Sequence, residues 1–218
     1  MRFSTTISAI KRIYSLTRNL LWAICVVVGA TLPLTASATD ITWTGAVSSD
    51  WNNSANWTPQ QVPSASDHVI INSGTLAIPA DAGFAIMDWT GGTINGALNV
   101  ASNGVLNVGY GPENKILDGT LTNAGTVVVT VGYGGPGNNL YLGRIYNLAG
   151  GLFDIQNDTW LVPYIGPAFF NNAGTMRKSG GTGTTDIDVE FTTPASWRRI
   201  RARSDLGEAA VLAEISRP

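Results

Sequence analysis

The chain is poor in the residues that usually carry chemistry. Cys25 is its only cysteine and lies in an apolar N-terminal segment. Nothing after it can form a disulfide, and a thiol nucleophile, an iron–sulfur cluster or a cysteine-based zinc site is excluded there. His68 is the only histidine. Any metal site would rest mainly on oxygen ligands, and a Ser-His-Asp arrangement around Asp67 and His68 lacks the sequence of a nucleophile elbow. Between residues 39 and 193 only Lys115, Arg144, Arg177 and Lys178 are basic, against 12 acidic residues. Nucleic acid and anionic membranes require clustered Lys and Arg, so neither is expected as a partner. No stretch of that region shows a 3.6-residue apolar period. Gly132-x-Gly134 is followed by neither a helix start nor Lys-Ser/Thr, which rules out a phosphate loop. No cofactor is implied.

Residues 1–38 read as an address. Arg2, Lys11, Arg12 and Arg18 precede an apolar run from Leu20 to Leu34, and Ala36-Ser37-Ala38 supplies a small-residue site. This is the pattern of a secretory signal peptide cleaved after Ala38. The run is shorter than the roughly 20 residues that span a bilayer, so no membrane span is expected after cleavage. Removing the leader leaves nine basic and 15 acidic residues, a net charge of −6. The expected location is extracellular or the outer cell surface.

Glycine, asparagine and threonine are plentiful, and they recur. Asn123-Ala124-Gly125-Thr126, Asn147-Leu148-Ala149-Gly150-Gly151 and Asn171-Asn172-Ala173-Gly174 share one pattern, with Gly125, Gly150 and Gly174 25 and 24 residues apart. Asn103-Gly104-Val105-Leu106 is a weaker copy. Periods of 20–50 residues mark stacked architectures. Short β-branched or apolar runs fill the intervals, among them Val69-Ile70-Ile71, Thr93-Ile94, Ala97 to Val100 and Thr126 to Val131. Most are three to six residues with partial alternation, as half-buried strands require. The expected fold is an all-β parallel solenoid over residues 69–193, about five coils of about 23 residues. Asn123, Asn147 and Asn171 are expected to stack as an internal ladder, with the glycines at the turns.

Residues 39–68 are rich in tryptophan. Trp43-x-Gly45, Asp50-Trp51-Asn52, Ala55-Asn56-Trp57, Val62-Pro63 and Asp67-x-Val69-x-Ile71 resemble a module of large bacterial surface proteins. Those proteins carry right-handed parallel β-helix repeats, like autotransporter passengers and related adhesins. The resemblance spans roughly residues 41–193. It implies an exported, repeat-built surface protein with a right-handed parallel β-helix, and it brings no catalytic motif with it. The tryptophans themselves are expected to cap the first coil, whose sheet edge and apolar interior would otherwise be open. Exposed and coplanar, Trp51 and Trp57 would instead form a sugar-stacking platform.

Two glycine-rich inserts, Gly109 to Asn114 and Val131 to Asn139, resemble each other and are expected to project from matching corners. Tyr110 and Tyr133 are the candidate ligand contacts there. Asp186, Asp188 and Glu190 alternate along one strand and could offer oxygens to calcium. Parallel β-helices also host polysaccharide-cleaving enzymes, which need a basic group or a carboxylate pair in a cleft. Arg144, Arg177, Lys178 and scattered aspartates are the residues available, and their spacing does not assemble them.

After Thr193 the repeat stops. Residues 194–218 carry five basic and three acidic side chains, and Ser204 to Ile215 reads as a helix. A helical cap on the last coil and a truncated or frameshifted continuation of a longer repeat protein both fit this tail. The expected function is structural: a secreted or surface-displayed, adhesin-like, non-enzymatic solenoid, with a surface glycan or protein as partner. A carbohydrate-binding module using the tryptophans or tyrosines is the alternative.

Overall fold

The computed structural model describes residues 38–132, 139–193, 196–197 and 201–203. The chain runs through β1 (Asp40–Trp43), a short 3-10 turn (Ser54–Asn56), β2 (Trp57–Thr58), β3 (His68–Ile71), β4 (Thr75–Ile78), β5 (Ile86–Trp89) and β6 (Gly92–Val100). It continues through β7 (Val105–Val108), β8 (Lys115–Asn123), β9 (Thr126–Val129), β10 (Leu140–Leu142), β11 (Arg144–Asn147) and β12 (Leu152–Ile155). Then follow β13 (Trp160–Pro163), β14 (Phe169–Asn172), β15 (Thr175–Lys178), β16 (Thr184–Ile187), β17 (Glu190–Thr193), β18 (Ser196–Trp197) and β19 (Arg201–Arg203). Among the described residues no helix is long and apolar enough to cross a membrane.

These strands form a parallel β-solenoid. In the first sheet β1, β3, β5, β7, β9, β12 and β15 lie side by side in sequence order, all parallel. Ile41, Val69, Met87, Leu106, Val127, Phe153 and Met176 share one register position. After the first rung the step is shortest from Val69 to Met87 and longest from Val127 to Phe153, so the coil is less uniform than the glycine spacing predicts. Alternation decides the faces: β3, β7 and β9 each bury their second and fourth residues. Burying each such Val, Leu or Ile is worth about 1.5–3 kcal/mol, which is why register is strongly specified.

The second sheet differs from the expected set of short strands. Thr93-Ile94 and Ala97 to Val100 are one nine-residue strand, β6, which pairs along its whole length with β8. In the next coil this long strand divides: β10 pairs with the start of β8 and β11 with its end, separated by Gly143. The inner column Leu98, Leu121, Ile145, Phe170 and Phe191 runs through this sheet, and every member is buried. The core is continuous from Ile41 to Phe191.

Both sheets carry antiparallel returns. β2 lies against β1, so the tryptophan-rich stretch is joined to the first sheet and β1 is itself a rung. β18 and β19 lie antiparallel to β17 and β16. The helix expected at Ser204 to Ile215 lies outside the described residues.

Candidate functional site

The asparagine ladder is built, with one change of member. Asn123 Nδ2 donates to Asn147 Oδ1 at 2.7 Å, and Asn147 Nδ2 donates to Asn172 Oδ1 at 2.7 Å. Asn172, not Asn171, completes it; Asn171 stands in register with Tyr146 and faces outward. The glycine column shifts likewise. Gly151 occupies the position of Gly125 and Gly174, because Leu152, Thr126 and Thr175 are aligned. Gly150 is an inserted residue at φ 88° with open space around it. At Gly125 a Cβ would strike the Ala101 and Gly104 carbonyl oxygens, so the corner closes only without a side chain. These residues are scaffold.

The tryptophans are also internal. Trp43, Trp51 and Trp57 are buried to 3%, 1% and 1% exposure. Trp57 stands edge-on to both others, with ring centroids 4.8 and 4.9 Å apart. Its Nε1 donates to the Trp51 carbonyl at 2.8 Å. Buried Asn56 completes the unit: its Oδ1 accepts from the Val47 and Ser48 amides, and its Nδ2 donates to Ser48 Oγ and the Asp50 carbonyl. Neither Trp51 nor Trp57 offers a ring face to a sugar, so the stacking platform is absent from this arrangement. A cap needs buried, mutually packed indoles, and that is what these residues supply.

Polar side chains on the outer face of the first sheet tie rung to rung. His68 Nδ1 lies 3.0 Å from Asp40 Oδ1 and His68 Nε2 lies 3.0 Å from Asp88 Oδ2. Asp88 Oδ1 also accepts from Asn107 Nδ2 at 2.8 Å. The imidazole thus bridges Asp40 and Asp88, and with Asn107 it makes a polar row across four strands. Further along, Arg177 Nε and Nη2 bind the two oxygens of Asp154 at 2.9 Å each, and Gln156 and Ser179 also donate to that carboxylate. Burial pushes the Asp154 pKa up, but these bonds and the Arg177 charge outweigh it and hold it at about 2. Lys178 Nζ donates to Asp158 Oδ1 at 2.7 Å and to the Asn157 carbonyl at 3.0 Å. The other Asp158 oxygen accepts the Gly183 amide at 2.8 Å.

Tyr110 is exposed, and its hydroxyl accepts from Asn157 Nδ2 at 2.9 Å, a group that also donates to the Thr130 carbonyl. It is thus pinned to a residue two coils further on. Tyr133 lies outside the described residues. Asp186, Asp188 and Glu190 do not share one strand: β16 ends at Ile187 and β17 begins at Glu190. Asp188 Oδ2 accepts from Trp160 Nε1 at 2.6 Å. Among the described residues no three carboxylate, histidine or cysteine side chains are placed to hold a metal ion. Lys115 is fully buried, and desolvation lowers its pKa to about 8.

An open feature lies on the second sheet, and the sequence reading singled out only Arg144 among its residues. Gly96, Gly119 and Gly143 stack on successive coils of this sheet, and a groove of about 500 Å³ lies beside them. A Cβ on Gly119 would meet the Gly96 carbonyl, and one on Gly143 the Gly119 carbonyl, so coils approach closely here. Asn95, Asp118 and Arg144 supply polar groups to the groove, and Ile165 and Pro167 an apolar wall. Ile165 is 87% exposed. Arg144 Nε donates to Thr120 Oγ1 at 3.2 Å. A sequence signal was present: Asn95-Gly96-Ala97-Leu98 and Asp118-Gly119-Thr120-Leu121 repeat one pattern a coil apart, and Gly143 follows one coil later.

No protein-family model, curated protein or solved structure matches this chain. The class defined by the fold is therefore that of a parallel β-solenoid protein with a tryptophan-rich N-terminal cluster.

Proposed function

We propose that the chain is an exported, surface-displayed solenoid of the adhesin-like kind, a non-enzymatic scaffold for recognition. The observation that carries this reading is the use made of its scarce charges. Asp154 with Arg177 and Asp158 with Lys178 bridge one coil to another, and Asp88 is tied to the neighbouring coil by the His68 ring. A sugar-cleaving solenoid would aim a base or a carboxylate pair into a cleft; here Arg177 and Lys178 are bound to carboxylates instead. The leader-like segment 1–38 and the resemblance around Trp43 to Ile71 support export and display. Fractionation of cells carrying the intact gene, with external protease added, tests it: surface-accessible chain without polysaccharide turnover is expected. Retention in the cytoplasm would contradict it, as would turnover that Arg144→Ala or Asp186→Asn abolishes.

A second reading is favoured by the groove. Its run along the stacked glycines, its Asn95, Asp118 and Arg144 side chains and its Ile165 wall suit an extended glycan. Ligand sites commonly combine apolar walls with a few placed polar groups. Glycan-array binding lost in Asp118→Ala and kept in Trp57→Phe would place recognition in the groove; loss in neither would remove it from there.

A further inference from the structure

Thr39 follows the small-residue site Ala36-Ser37-Ala38, and its backbone nitrogen has an unusual partner. The Thr39 N–H donates to Asp67 Oδ1 at 3.1 Å. Asp67 is only 2% exposed. Its second oxygen accepts from the Ser64 amide at 2.8 Å and from Ser64 Oγ at 2.6 Å. Burial pushes the Asp67 pKa up, yet the Ser64 and Thr39 hydrogen bonds prevail and lower it. The carboxylate is thus kept ionised inside the protein by three neutral donors. The Thr39 carbonyl is fixed as well, accepting the His68 amide at 2.9 Å. The residue just after the processing site is therefore clamped on both sides, while Ala38 is exposed.

We propose that hydrolysis of the Ala38–Thr39 bond creates the cation that Asp67 is placed to receive. The step rests on reading residues 1–38 as a leader. A processing peptidase adds one water, leaving a carboxylate on Ala38 and an α-ammonium on Thr39. The new ammonium then stands where the amide N–H stood, against a buried carboxylate. Hydrogen bonds that involve ionised groups are roughly twice as strong as neutral ones. Asp67 is the binding site for the mature amino terminus, and it makes the processed chain more stable than its precursor. The same carboxylate joins the 64–67 loop to the start of β1, so the gain falls on the tryptophan cluster that begins the solenoid.

The test compares the processed chain, residues 39–218, with a free Thr39 amine, with an acetylated Thr39, and with Ala38 retained, each with Asp67 or Asp67→Asn. Acetylation removes the charge and keeps every side chain, so it guards against a variant that merely misfolds. A melting temperature about 2–4 °C higher for the free amine is expected, and the gap should vanish with Asp67→Asn. Equal melting temperatures for free and acetylated chains would overturn the pairing, as would a gap that survives Asp67→Asn. Amino-terminal sequencing of the exported chain should begin at Thr39; a start at another residue overturns the processing site. An intact precursor retained inside the cell would overturn the export reading along with the processing step, whereas the melting comparison judges the pairing on its own.

Discussion

Asn147 is the residue on which the internal ladder turns. It accepts from Asn123, donates to Asn172, and also reaches the Thr175 carbonyl at 3.1 Å. Truncating it removes one acceptor from the buried Asn123 amide, which keeps the Leu152 carbonyl, and the donor from half-buried Asn172, and a buried polar group left unpaired costs about 1–3 kcal/mol. Asn171 is exposed and stands outside the ladder. Denaturant unfolding of Asn147→Ala and Asn171→Ala should therefore separate them by more than about 1 kcal/mol, with Asn147→Ala the weaker protein. Asp154 gives a second contrast at this scale. Its folded pKa of about 2 lies below the roughly 3.9 of an unfolded aspartate. The unfolded chain then binds more protons in that window, so the stabilisation is full above about pH 4 and is lost as pH falls towards 2. Arg177→Ala should flatten this part of the acid-unfolding profile, and an unchanged slope would show that the guanidinium does not hold Asp154 down.

At the scale of elements, the glycine stack in the second sheet is the sharpest consequence of sequence. Gly119 stacks on Gly96 with no space for a methyl group. Gly119→Ala should separate β6 from β8 locally and cost about 1–3 kcal/mol, the usual range for overpacking; a thermal melt indistinguishable from that of the parent would contradict the close stacking. Much of this level is legible in the sequence. Alternation in Val105 to Val108 and Thr126 to Val129 reveals strands and their buried faces, because a side chain's face follows from its parity. The Asn-x-Gly pattern reveals the corner. What it conceals is alignment: Asn171-Asn172 offers two candidates for one rung, and only pairing with β11 chooses Asn172. The Ala149-Gly150 pair misleads for the same reason, since an insertion moves the stacked glycine to Gly151. The groove is hidden in the sequence because Asn95-Gly96 and Asp118-Gly119 read as turn dipeptides. In the fold they lie inside long strands whose pairing runs on unbroken.

For the whole described solenoid, nearest-neighbour coupling governs stability. Each coil contacts the one before and the one after, so its free energy is close to a sum of rung and interface contributions. The tryptophan cluster and the antiparallel returns of β2, β18 and β19 cover backbone that a parallel stack would leave unpaired. The polar struts fit the same scheme: Asp40, His68, Asp88 and Asn107 join four successive rungs, and Asp154 and Arg177 join two. These polar contacts hold coils in register. Register is open to direct measurement, because a chain of residues 39–218 contains no cysteine of its own. Asn107 and Val128 face each other across β7 and β9 on the outer face. Cysteines introduced at both positions, treated with a short bifunctional thiol reagent, should join rapidly within one chain, while Asn107→Cys with Thr126→Cys should lag. Equal rates for the two pairs, or faster joining of the second, would contradict the in-register parallel stack.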